Sequence, residues 1–104
     1  ILNYNAVSTI TSLTHYLQQR IVPDATYRNW NAYSANVSFG KGVNVMEAFT
    51  ILPDPQTNGG LLFSVNENSV VEVQELLKKN GLEKFMQPIG KMILKEEKTI
   101  RVEL

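Results

Sequence analysis

The residues with most chemical potential lie in Asp54-Pro55-Gln56-Thr57-Asn58-Gly59-Gly60, which leads into the apolar run Leu61-Leu62-Phe63. Pro53 and Pro55 fix two φ angles and bias the residues before them towards extended geometry. Gly59 and Gly60 allow close backbone approach. Such a segment can act as a polar lip, with the Thr57 hydroxyl and the Gly59 and Gly60 amides donating to an anion such as phosphate. It can equally be a rigid entry loop in which Asp54 and Thr57 satisfy their own backbone. Arg28-Asn29 offers a second anion contact, because a guanidinium fork suits phosphate or carboxylate and Asn29 could fix it in place. The competing role for Arg28 is a clasp to Asp24 or Asp54 that locks two loops together.

Other chemistry-bearing residues point to structure. Trp30 and Tyr33 are expected in packing, since a base-stacking platform would need surrounding positive charge. His15 stands alone and cannot build a metal site without histidine or cysteine neighbours. Gly40-Lys41-Gly42 lacks the full phosphate-binding loop pattern, and Asn36-Val37-Ser38 matches a glycosylation acceptor without a secretion signal. There is no nucleophile–base pair, no carboxylate pair at metal-ligand spacing and no glycine-rich strand-to-helix loop. The residues therefore assign no catalytic group and no metal ligand within this chain.

The elements that must position these groups read as α+β. Asn5 can cap a first helix to about residue 19, with Ala6, Ile10, Leu13 and Leu17 on one face. Pro23-Asp24 marks its exit into a loop. Residues 26–42 show no clear periodicity, and Gly40-Lys41-Gly42 reads as a flexible tip. Asn44 and Glu47 have capping-box spacing, predicting a short helix over Val45 to Thr50. Leu61 to Val65 reads as a strand. Ser69 and Glu72 suggest a second capping box, and Val70, Val73, Leu76 and Leu77 one helical face, closed by Lys78-Lys79-Asn80-Gly81. Residues 86–94 and 99–103 are expected as strands around a charged Lys95–Lys98 hairpin. A strand–helix–strand unit with an added hairpin predicts a mixed β-sheet packed with helices.

Composition narrows the function. The chain has 104 residues, 43% of them hydrophobic, which suits one compact unit with a modest core. Ten basic and ten acidic residues balance to zero, which argues against a nucleic-acid partner. No apolar run suits a membrane span and no secretory pattern is present, so a cytoplasmic location is the default expectation. Without cysteine there is neither disulfide nor thiolate chemistry. Ile1 in place of Met suggests a piece of a longer chain.

Asp54-Pro55-Gln56-Thr57-Asn58-Gly59-Gly60-Leu61-Leu62 resembles the Asp-Pro-Gln-Thr-Ser-Gly-Gly-Leu-Leu signature of the selenophosphate synthetase (selenide, water dikinase) family. Pro23-Asp24-Ala25-Thr26-Tyr27-Arg28-Asn29-Trp30 is similar to that family's Pro-Gly-Gly-Thr-x-Arg-Asn-aromatic segment, in the same order. Ile89-Gly90 is a weaker third match. Asp24-Ala25 replaces a Gly-Gly pair, which removes the basis for a backbone-amide cradle there, and Asn58 replaces a serine.

The resemblance implies a truncated C-terminal domain over residues 1–104. Its fold would be that of the aminoimidazole ribonucleotide synthetase superfamily, with the nucleotide-binding N-terminal half lying upstream. It implies ATP-dependent conversion of selenide to selenophosphate, AMP and phosphate, with ATP and magnesium held mainly by the other half. The full-length protein would be a homodimer, with its N-terminal half as this segment's partner. Asp54, Gln56, Thr57, Gly59, Gly60, Thr26, Arg28 and Asn29 are the positions expected to line the cleft or approach phosphate. The alternative is a non-catalytic binding or scaffolding module that keeps the fold. On either reading the isolated chain is expected to be inactive.

Overall fold

The computed structural model describes Ile1–Leu104 throughout. Its elements in chain order are β1 (Leu2–Asn3), α1 (Leu13–Gln18), α2 (Asp24–Tyr33), β2 (Val37–Phe39), α3 (Val45–Ile51), α4 (Val70–Lys79) and β3 (Ile100–Glu103). Short 3-10 turns precede or follow several of them. The α+β expectation holds.

β3 lies at the centre of the sheet, parallel to β1 on one side and to β2 on the other. Val102 is opposite both Leu2 and Phe39. It is fully buried, and with Ala48 and Val43 it forms the core, covered by Leu2, Tyr4, Val37, Phe39 and Leu52. The antiparallel component is smaller than the predicted hairpin. Residues 89–91 run against β1, with Asn3 N–H donating to Ile89 O at 2.8 Å and Lys91 N–H to Ile1 O at 2.9 Å. Thus the 86–94 segment reaches the sheet through the chain's first residues, and not by pairing with 99–103.

Several expectations change. The first helix contracts to Leu13–Gln18, because Ser8-Thr9-Ile10-Thr11-Ser12 concentrates β-branched and serine residues that resist helix. Asn3, not Asn5, caps the opening 3-10 turn, accepting from Ala6 N–H at 3.2 Å. Pro23-Asp24 begins a helix instead of ending one. Its fixed φ and an acidic first-turn residue suit a helix start. Gly40-Lys41-Gly42 is a pinned turn, with Gly40 N–H donating to Val102 O at 2.7 Å. Leu61–Val65 forms no strand, since no neighbouring strand of this chain offers it a ladder, and the strand–helix–strand unit is therefore absent.

The two predicted capped helices fare better. Asn44 accepts from Glu47 N–H at 3.3 Å at the start of α3. The Glu47 carboxylate is used elsewhere, accepting from the Tyr4 hydroxyl at 2.7 Å. α4 forms as expected, although the Ser69 side chain makes no capping bond; Asn66 caps the 3-10 turn that precedes it, accepting from Asn68 N–H at 3.0 Å. Gly81, at φ 72°, ends α4 in a Schellman arrangement, with Leu82 N–H reaching Leu77 O and Gly81 N–H reaching Lys78 O.

The chain is unusually open for its size. It exposes 8575 Å², whereas a folded monomer of 11.7 kDa is expected to expose about 5,900 Å². Its radius of gyration is 15.1 Å, against about 13 Å for a compact chain of this length. Leu61, Leu62, Met92 and Leu94 are each more than four-fifths exposed, so the open surface includes large apolar side chains.

Candidate functional site

Helix α2 carries half of the candidate site, and its sequence sorts the residues by face. Thr26, Asn29 and Trp30 follow i, i+3, i+4 spacing and turn inward, while Tyr27 and Arg28 are exposed. Trp30 is the wedge. Its ring meets Phe49 of α3 edge-on at 5.3 Å between centroids and Phe39 of β2 at 5.9 Å. Tyr27 adds a contact to Phe49 at 5.6 Å. Aromatic pairs of this kind contribute about 0.5–1.5 kcal/mol beyond area burial. They fix α2 against both the sheet and α3. The packing expected of Trp30 is present; Tyr33 is exposed.

Thr26 is fully buried, and its hydroxyl oxygen has no hydrogen-bond partner. It belongs to the interior side of α2, away from any open lip. Asn29 reaches the next segment, its Nδ2 donating to the carbonyl of Pro53 at 2.9 Å. This bond ties α2 to the start of the 54–60 turn. Arg28 was the side chain expected to form such a clasp, but it has no ionic partner: the chain's two salt bridges are both made by Arg101. The link between the segments is made by the amide one residue later.

The turn leaves α3 directly. Asp54 N–H donates to Ile51 O at 3.3 Å, and the backbone then extends into solvent, with residues 56–60 exposed. The Asp54 carboxylate accepts a long bond of 3.4 Å from Gln56 Nε2. Thr57 and Asn58 make no side-chain hydrogen bond within the chain, and Asp54 bonds a side chain, so neither Asp54 nor Thr57 satisfies its own backbone as the rigid-loop reading expected. Neither Gly59 nor Gly60 has a positive φ. A Cβ on Gly60 would meet nothing within 4 Å, and one on Gly59 only the end of the Gln56 side chain. The chain's own geometry therefore does not require these glycines; their open faces are free for an external group.

Ion pairing leaves Arg28 among the cations free to meet an anion. Glu96 accepts from Arg101 through both carboxylate oxygens, an interaction that raises the guanidinium pKa above its ordinary value. Arg101 Nε lies 2.8 Å from Glu103 without hydrogen-bond alignment. Lys98 donates to the carbonyl of Ala35 at 2.8 Å. These groups are committed, whereas Arg28 is exposed and unpaired. No three His, Cys, Asp or Glu side chains gather into a group suited to a metal ion.

Two surface depressions lie away from the turn. One of about 390 Å³ sits at the carboxyl ends of β1 and β3 among Asn3, Gly90, Lys91 and Glu103. The other, about 60 Å³, lies beside Lys95, Lys98 and Arg101. The structure thus joins Asn29 to the 54–60 turn, buries Thr26 and leaves Arg28 and Thr57 free. The Asn29–Pro53 link was not expected from the sequence. Its signal was the stripe Thr26, Asn29, Trp30 at helical spacing.

Relatives share this segment. The chain is 37% identical over 98 residues to a selenide, water dikinase of Haemophilus influenzae (strain 86-028NP), covering 94% of this chain and 26% of that protein. It is 33% identical over 101 residues to the selenide, water dikinase of Pseudomonas putida (97% of this chain and 28% of the relative). Against the Yersinia pestis protein of the same name it is 28% identical over all 104 residues, again 28% of the relative. The chain therefore spans about a quarter of the length of the curated relatives it matches. No family model matches it, and no solved structure gives a significant match. No helix is long and apolar enough to cross a membrane.

Proposed function

We infer that this chain, a homologue of a quarter-length segment of the selenide, water dikinases, supplies one wall of such an enzyme's active-site cleft. The full-length protein would use ATP to convert selenide to selenophosphate, with AMP and phosphate as the other products. The single observation that carries this reading is the 37% identity extending over 94% of the chain. A match of that extent concerns the whole segment and not one motif.

The roles follow from what each residue has free. Arg28 offers an unpaired guanidinium and Thr57 an unpaired hydroxyl, both exposed. Gly60 presents backbone with open space where a side chain would stand, and beside Gly59 only the end of the Gln56 side chain comes near. Donors of these kinds hold phosphate oxygens and stabilise the charge that develops on them. ATP, when bound, supplies the phosphoryl group. The dispersed carboxylates of this chain do not suit a magnesium site, so that ion would be held by the other half of the protein.

Exposed apolar surface supports a partner in the same polypeptide. The excess over a compact monomer is about 2,700 Å², of the order that permanent interfaces bury. Leu61, Leu62 and Phe63 follow the turn directly, so covering them would also bring the turn to an inter-domain boundary. The partner is the nucleotide-binding N-terminal half, in a cytoplasmic homodimer.

The test is made in the full-length protein that carries this segment. Thr57→Val and Arg28→Leu each remove a donor without disturbing a contact inside the chain. Each is expected to lower kcat/KM by about tenfold or more, the worth of one charge-assisted hydrogen bond. Unfolding midpoints should stay at the parent value. Unchanged kinetics in both variants would reject the cleft-wall reading and favour a non-catalytic module.

A further inference from the structure

We propose that Asn29 is a positioning residue that sets the 54–60 turn for its work by holding the carbonyl of Pro53. This rests on the cleft-wall reading above and adds to it a cause for the turn's placement. The turn has few ways to hold itself. Pro53 and Pro55 have no N–H, which removes two of the backbone donors that a polar turn ordinarily uses. Only Asp54 N–H, bonded to Ile51 O, ties the turn's first residues back to α3. Beyond it the sole side-chain bond within the turn is the 3.4 Å contact between Gln56 and Asp54.

The second tether comes from outside. Asn29 Nδ2 donates to Pro53 O at 2.9 Å in a half-buried setting, across 24 residues of sequence. Its helix cannot drift, because the adjacent Trp30 is wedged against Phe39 and Phe49 and Thr26 is fully buried one turn earlier. The rigid body of α2, β2 and α3 therefore extends through Asn29 to the base of the turn. From that anchored base the exposed residues 56–60 project. Asn29 itself is occupied by the chain and is not expected to touch substrate. This departs from its sequence-based assignment as a cleft-lining group.

The experiment is a double-mutant cycle in the full-length protein between Asn29→Leu and Thr57→Val, read as kcat/KM and as unfolding midpoint. Asn29→Asp is the second variant: it keeps the shape but loses the donor, and it serves if the leucine variant does not fold. Asn29→Leu or Asn29→Asp should reduce kcat/KM by about tenfold. Combined with Thr57→Val, it should cost little beyond Thr57→Val alone, because both act through the same turn. A merely structural asparagine would lower the midpoint and give multiplying kinetic effects. If Thr57→Val slows the enzyme while both Asn29 variants turn over at the parent rate, or if the effects multiply, the positioning role is overturned and the cleft wall stands. If neither Thr57→Val nor Arg28→Leu slows it, the cleft wall fails, and the positioning role with it.

Discussion

Two helices in this chain end in the same way on different residues, and exchanging their stop residues gives an internally controlled test. α1 closes with Ile21 N–H on Tyr16 O at 3.0 Å and Arg20 N–H on Leu17 O at 2.9 Å. α4 closes with Leu82 N–H on Leu77 O at 2.9 Å and Gly81 N–H on Lys78 O at 3.1 Å. The left-handed residue is Arg20, at φ 59°, in the first case and Gly81, at φ 72°, in the second. A residue with a Cβ pays about 1–2 kcal/mol in this region. Arg20→Gly relieves that strain, but it restores about 0.5–1 kcal/mol of unfolded-state entropy and removes a cation near a helix C-terminus worth about 0.3 kcal/mol. Since Arg20 makes no side-chain hydrogen bond or ion pair, the net expectation is a gain of about 0.5 kcal/mol. Gly81→Ala takes on the strain while gaining the same unfolded-state entropy term, and should lose about 0.7 kcal/mol. Urea unfolding followed by helix ellipticity reads both: at an m-value of about 1.5 kcal/mol per molar, the midpoints move by roughly +0.3 and −0.5 M. A loss of stability in Arg20→Gly, or no change in Gly81→Ala, would refute the assignment of backbone strain to these two stops.

Two further substitutions probe the sheet and its flank. Folding raises the Tyr4 phenol pKa, first by burial and then through its hydrogen bond to Glu47 and that residue's charge. The group therefore stabilises the fold fully below the unfolded-state value of about 10, and that contribution is lost as pH rises through the folded-state value. Tyr4→Phe should cost about 1 kcal/mol at neutral pH. Between about pH 8 and about pH 11 its unfolding midpoint should fall less than the parent's; parallel decline in urea titrations would contradict this. Gly90→Ala should destabilise by about 2 kcal/mol or more, because a Cβ there would collide with the Ile1 carbonyl across the antiparallel bridge. An unfolding midpoint equal to the parent's would show that the bridge is not a fixed part of the fold.

Local signals were legible where the sequence also contained the partner. Asn44 and Glu47 lie three residues apart, and their capping bond forms between neighbours. Gly81 stops α4 because the requirement at that position is a backbone angle and not a distant contact. Ile100–Glu103 became a strand because β1 and β2 flank it on both sides. Leu61–Val65 has comparable strand character but no ladder beside it within the chain, so Leu61, Leu62 and Phe63 remain exposed. Apolar patterning reports a demand for burial; it does not say which surface will meet that demand. α2 shows the opposite error: small polar residues obscured a helix whose inward stripe depends on one buried threonine, one asparagine and one tryptophan.

The same distinction bears on the candidate site. Composition could identify Thr57, Arg28 and Asn29 as polar groups near prolines and glycines, but could not tell a free donor from a committed one. That division depends on pairing across long sequence separations. Asn29 is committed because Pro53 O comes within reach from the end of α3, and Arg28, one position earlier and on another face, is left unpaired. A helix turns by about 100° per residue, so adjacent polar residues cannot share one task. One holds the turn, and the other remains available to whatever the turn faces.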